Sequence, residues 1–194
     1  MIHVQKLGKR YGECWALQDM TFEVRAGEFV GILGRNGAGK TTLVRILTGQ
    51  LAPTTGEAEI LGLSVAARPL ELRRRIGVMP EPTALLDGLT GAQYLHFVGR
   101  IHGLAPMVLD TRIGELGDLL ELDFRSPARI GDYSVGMKKK VALCAAVLHA
   151  PELLFLDEPF EGLDPVSAET LRGLLESLRD HGATILMTSH LLGT

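Results

Sequence analysis

The chain has 194 residues, 46% hydrophobic and 22% charged, with 20 basic against 23 acidic side chains and a formal net charge of -3. That length can bury one substantial core, and the charge balance excludes the basic excess of a nucleic-acid-binding protein. Cys14 and Cys144 are too few and too separate for a disulfide framework or zinc site and fit a reducing cytoplasm, while no signal peptide or apolar run near the ~20 residues of a membrane helix is visible, so any membrane contact must come through a partner.

The N-terminal stretch reads as β-rich, and residues 28–33 read as a buried strand. Gly34-Arg35-Asn36-Gly37-Ala38-Gly39-Lys40-Thr41 follows it, and a helix over residues 41–47 begins at Thr41-Thr42. This is G-x-x-x-x-G-K-[ST] between a strand and a helix. Its glycines let backbone N–H groups turn toward a di- or triphosphate, the lysine reaches the β- and γ-phosphates, and the threonine hydroxyl ligates magnesium. The helix N-terminus adds partial positive charge. A Gly-rich strand-to-helix turn that merely contains a lysine explains the pattern less well, because several positions are fixed at once.

Residues 75–80 form the next expected strand, and Pro80-Glu81-Pro82 opens a helical insertion of roughly residues 84 to 148. Within it residues 91–101 and 108–122 read as helices, although Gly114 and Gly117 are poor helix formers within the second. Ser134-Val135-Gly136-Met137 starts another helix, with Ser134 as a cap and Lys138 to Lys140 as a solvated face; Arg73 to Arg75 reads as a second solvated helix face. A cap accounts for the serine but not for Gly136, since glycine in a first turn weakens a helix. A site presenting a hydroxyl and bare backbone N–H groups to phosphate accounts for both.

Leu153-Leu154-Phe155-Leu156 is a short buried strand that delivers Asp157 and Glu158 to the strand-end edge where open parallel sheets bind ligands. Neighbouring strand residues point to opposite faces, so the two acids are expected to differ in role. Asp157 is placed to hold the magnesium shell, and Glu158 to accept a proton from an attacking water. Without a phosphate loop, Asp-Glu-Pro would equally be a strand leaving the core. A helix over residues 166–179 comes next, and a strand over 183–188 brings His190 to the same edge as Asp157. A histidine taken alone is more often merely packed or exposed.

In this order the motifs resemble the nucleotide-binding subunit of an ABC transporter, over essentially the whole chain. Gly34 to Thr42 match its Walker A loop, Tyr133-Ser134-Val135-Gly136-Met137 its signature, Asp157 and Glu158 its Walker B aspartate and catalytic glutamate, Gly162-Leu163-Asp164 its D-loop and Ser189-His190 its switch histidine. The resemblance implies adenine stacked on Tyr11, which by itself would pass for an ordinary surface or core aromatic. It implies that Lys40, Glu158 and His190 carry catalysis, with Thr41, Asp157 and Glu81 at magnesium. Glu81 stands where the family commonly has glutamine, and Val135 and Met137 depart from the commonest signature.

The expected fold class is therefore α/β: a P-loop NTPase with a central, mainly parallel sheet, an N-terminal antiparallel β-subdomain and an inserted helical subdomain, all in one domain. The expected cofactors are ATP and Mg2+. The expected partners are a membrane-spanning permease subunit and a second copy, paired head to tail with ATP between Walker A of one and Ser134 and Gly136 of the other. Cytoplasmic placement against the membrane follows from the permease. The family continues past the switch histidine, so the chain is expected to be truncated there, with a sheet edge left open. Two alternatives are a soluble ABC-type ATPase, in iron–sulfur assembly or translation, and a non-catalytic nucleotide-gated dimerisation module. A GTPase is less expected, for want of an Asn/Thr-Lys-x-Asp motif.

Overall fold

The computed structural model describes residues 1–79 and 84–190. These divide into two compact units. The first comprises Met1–Val78, Glu152–Glu158 and the residues from Arg179 on; the second comprises Met79–Pro151 and Pro159–Leu178.

The first unit holds two sheets. β1 (Ile2–Tyr11) and β2 (Cys14–Val24) form an antiparallel hairpin, and β1 pairs on its other side with β4 (Thr55–Ile60), which pairs with β5 (Leu63–Ser64). The second sheet is parallel throughout: β3 (Phe29–Leu33), β8 (Thr184–Ser189), β7 (Leu153–Asp157) and β6 (Ile76–Val78), in that spatial order. The two inner strands read as apolar runs because both faces are covered; Leu153 to Leu156 and Thr184 to Ser189 are all buried.

The strand expected to be buried at residues 28–33 is not. β3 pairs only with β8 among the described strands, and Leu33 is 54% exposed. An edge strand keeps the composition of a core strand without its cover. Helices α1 (Lys40–Leu47) and α2 (Pro69–Arg75) complete the unit. Leu43, Ile46 and Leu47 of α1 and Leu72 of α2 join Phe155 and Ile60 in one apolar core. α2 carries the Arg73 to Arg75 run on its last turn, where a helix face was expected. Its last residue, Arg75, stays partly solvated but is also paired: its guanidinium donates to Glu152 Oε1 at 2.9 Å and to the Leu61 carbonyl at 3.2 Å.

The second unit is helical. α3 (Gly91–Ile101) opens with a reciprocal cap, Thr90 Oγ1 accepting from the Gln93 amide at 3.2 Å while Gln93 Oε1 accepts from the Thr90 amide at 3.0 Å, an arrangement that contributes about 1 kcal/mol. α4 (Pro106–Leu120) starts two residues earlier than expected, because Pro106 suits the first helical turn, where no N–H partner is lost. Gly117 has a packing reason to be there: a Cβ would lie 2.8 Å from the Leu122 carbonyl oxygen, so the glycine permits the chain to fold back at the helix end. α5 (Val135–Val147) is apolar on every face from Val141 onward and is buried there. α6 (Pro165–Asp180) begins after Asp164, whose Oδ1 accepts from the amides of Val166 and Ser167 at 3.1 and 3.0 Å. Among the described residues no helix is long and apolar enough to cross a membrane.

Candidate functional site

The carboxyl ends of β3, β7 and β8 bring together Lys40, Thr41, Asp157, Glu158 and His190. The loop between β3 and α1 is anchored at its start by the Gly34 amide, which donates to the Ser189 carbonyl at 3.2 Å, while Arg35, Asn36, Gly37 and Ala38 face solvent. Gly39 caps α1 with φ 88° and no side-chain hydrogen bond. That backbone suits glycine alone, and a Cβ would collide with the Ala16 carbonyl oxygen. Helix-initiating N–H groups are thus left for an outside acceptor.

Lys40 is 8% exposed, its ammonium folded back over its own loop to donate to the Gly34 and Arg35 carbonyls at 2.7 and 3.3 Å. It also lies 3.2 Å from Glu158 Oε1. Thr41 donates to Asp157 Oδ2 at 2.9 Å; Thr42 follows in the same first turn and is half-buried.

Asp157 and Glu158 do diverge, but not through strand pleating. β7 ends at Asp157, and Glu158 turns into the left-handed region with φ 47°, which costs a non-glycine residue about 1–2 kcal/mol. The turn carries the Glu158 side chain to Lys40 and to His190, whose Nδ1 and backbone amide sit 2.9 and 3.2 Å from Oε2. Burial pushes the Glu158 carboxyl up, but hydrogen bonds from His190 and Lys40 and the lysine charge outweigh it, and the group settles below its ordinary value of 4.5.

Sequence reasoning missed Thr188. It was read only as the last residue of the strand over 183–188, yet its hydroxyl donates to Asp157 Oδ1 and accepts the Glu158 amide at 3.1 Å. No signal within the strand singled it out, since Thr184 and Ser189 of the same strand also carry hydroxyls.

Tyr11 ends β1, is 53% exposed, and carries the Lys9 ammonium 5.4 Å from its ring centre. The same hairpin borders the phosphate loop, since a Cβ on Gly39 would come within 2.8 Å of Leu17, the cross-strand partner of Lys9. If the ring stacks on a base, Tyr11→Ala weakens nucleotide binding by about tenfold while turnover at saturation is kept; calorimetric titration with ATP and ADP checks this, and unchanged affinity would return Tyr11 to an ordinary surface aromatic.

Ser134 and Gly136 lie in the second unit. Ser134 does cap α5, accepting from the Met137 amide at 3.2 Å. Gly136 has no steric need among the described residues, because an added Cβ would meet Leu163 at an ordinary 3.8 Å. The lysine run beside them is not a solvated face: Lys139 is 7% exposed, and Lys138 lies 3.4 Å from Asp87. Buried stems on a packed helix explain this, since lysine carries four methylenes that cover apolar surface. Glu81 lies outside the described residues.

The residues fit a magnesium ion. Thr41 gives its proton to Asp157, which leaves the hydroxyl lone pairs free for a hard cation. Among the described residues there is no group of three or more His, Cys, Asp or Glu that could hold a metal ion.

The model of the family described as ABC transporter matches residues 17–161. Nod factor export ATP-binding protein I of Rhizobium meliloti (strain 1021) is 38% identical over 191 residues, 98% of this chain, and the chain spans 57% of that relative's length. A solved ATP-binding subunit of an ABC transporter has a TM-score of 0.90 at 33% identity, over 99% of this chain and 80% of its own. A dimeric ATP-binding cassette in a post-hydrolysis state, bound to ADP and Pi, has a TM-score of 0.89 at 25% identity, over 98% of this chain and 88% of its own. With a phosphate loop, an Asp-Glu strand end and a histidine converging on one edge, and with this match over most of its length, the chain belongs to the ABC transporter family.

Proposed function

We propose that this chain binds and hydrolyses ATP with magnesium and so powers a separate membrane-spanning permease subunit. The single observation behind this reading is the cluster of Lys40, Thr41, Asp157, Glu158 and His190 at one sheet edge, where a phosphate-binding group, a metal-binding pair and a carboxylate base each have a partner. Lys40 leaves Glu158 and its own loop carbonyls to meet the β- and γ-phosphates. Glu158, ionised at neutral pH, takes the proton of the attacking water, and His190 holds the Glu158 carboxylate and faces the γ-phosphate. A magnesium ion on Thr41 and Asp157 would neutralise charge on the phosphate oxygens. Tyr11 stacks the adenine.

Two copies pair head to tail, each supplying Ser134 and Gly136 to the nucleotide of the other. Gly136 supports this: nothing among the described residues requires a glycine in the first turn of α5, whereas a phosphate approaching bare N–H groups does. The dimeric solved relative supports it too. The match to an export ATP-binding protein favours a transport role over a soluble ATPase. Association with the cytoplasmic face of the membrane would follow from the permease.

Phosphate release from ATP by the purified chain, with and without magnesium, tests the enzymatic reading, and copurification with an integral membrane protein tests the transport reading. Magnesium-dependent release without such a partner would favour the soluble ATPase. ATP binding and pairing without release would favour the non-catalytic module.

A further inference from the structure

We propose that Thr188 is a positioning residue: its one hydroxyl fixes the Asp157 carboxylate and the Glu158 backbone relative to each other, so that the metal-binding and proton-accepting groups are set together. The proposal rests on the ATPase reading above.

The hydrogen-bond directions are fully determined. An amide can only donate and an ionised carboxylate can only accept, so Thr188 Oγ1 must accept from the Glu158 amide and give its single proton to Asp157 Oδ1. Thr41 takes the other carboxylate oxygen at 2.9 Å. One hydroxyl on each oxygen, one from α1 and one from β8, leaves the Asp157 carboxylate no free rotation.

The location explains why a side chain is needed. The parallel ladder between β7 and β8 runs to Asp157 opposite Thr188 and stops there. Glu158 then turns to φ 47° and its amide leaves the ladder. A part-buried amide without a partner is costly; Thr188, itself fully buried, captures it with a side-chain oxygen and so holds the left-handed turn that aims Glu158 at Lys40 and His190. Through this one oxygen the chain of contacts runs from Thr41 through Asp157 and Thr188 to Glu158, and from Glu158 to Lys40 beside Thr41.

Wild type, Thr188→Val and Thr188→Ser carry the test. Valine keeps the β-branched shape and removes the oxygen; serine keeps the oxygen. In the ligand-free protein, hydrogen exchange at the Glu158 amide, read by NMR against the Leu154 and Leu156 amides, is expected to quicken about tenfold in the valine variant and to return in the serine variant. With ATP, kcat is expected to fall about tenfold in the valine variant while KM stays within about twofold, and the magnesium concentration for half-maximal turnover rises. Serine restores all of these. Wild-type exchange, kcat and magnesium dependence in the valine variant would overturn the proposal. So would a loss that serine does not rescue, or reference amides that quicken as much as Glu158, since either makes Thr188 an ordinary packing residue. If the wild type releases no phosphate from ATP, the ATPase reading fails instead, and the Glu158 exchange data still decide whether Thr188 clamps this turn.

Discussion

Glu158→Gln is expected to lower ATP hydrolysis by about 10²-fold or more, the usual scale for losing a general base. Glutamine keeps the size and much of the hydrogen-bonding reach of glutamate, so the contact with His190 survives while proton acceptance does not. ATP binding should persist, because Lys40, Thr41 and Asp157 are untouched; it should tighten, because Lys40 no longer has to leave a carboxylate 3.2 Å away. An unhydrolysed nucleotide would then hold two copies together. Size-exclusion chromatography should show an ATP-dependent dimer that ADP does not support, and adding Ser134→Arg should break it by placing bulk where Ser134 meets the opposite nucleotide. Near-normal phosphate release in Glu158→Gln would remove Glu158 from the base role. A monomer in ATP would count against the composite site.

What was legible in the sequence was local. The phosphate loop is a contiguous pattern in which the backbone requirement falls on glycine and the charge requirement on lysine, so Gly34 to Thr41 could be read without knowing what lies opposite. Asp157 was legible because four apolar residues cannot precede a carboxylate in a parallel sheet without delivering it to an edge. The parallel and antiparallel sheets and the helical insertion were expected from the resemblance to the ABC family that the motifs carry in their order. Features set by register were not legible. Thr188 matters because it stands opposite Asp157 on a strand remote in sequence, and no spacing rule within either strand reports that. The two acids diverge through one left-handed residue rather than through alternation. Burial of Lys139 and pairing of Arg75 with Glu152 were hidden because a basic run looks the same whether its stems lie in water or on a packed surface. The exposure of β3 was hidden for the complementary reason: composition records what a strand is able to bury, not which neighbours cover it.

Lys40→Ala is expected to remove ATP hydrolysis, by about 10²-fold at least, because the transferred phosphate loses the cation aimed at its developing charge. Binding should weaken as well, since the same ammonium is the main side-chain partner of the phosphates. The substitution also acts on the ligand-free fold, through Glu158. That carboxyl lies below its ordinary 4.5 because His190 and Lys40 together outweigh burial. A folded value below the unfolded one means that ionised Glu158 contributes stability in full above pH 4.5, and that the contribution is lost as pH falls through the folded value. Removing Lys40 takes away a hydrogen bond and a charge that hold the carboxyl down, while the burial that pushes it up remains. The folded value therefore rises toward the unfolded one. The variant should be less stable than wild type at neutral pH, and the difference should shrink as the solution is acidified through the range where Glu158 takes up its proton. Urea unfolding at about pH 7 and about pH 3 measures this. A stability difference of the same size at both values would mean that Lys40 supports the loop through its carbonyl contacts alone, and near-normal turnover in the variant would remove Lys40 from the phosphate site.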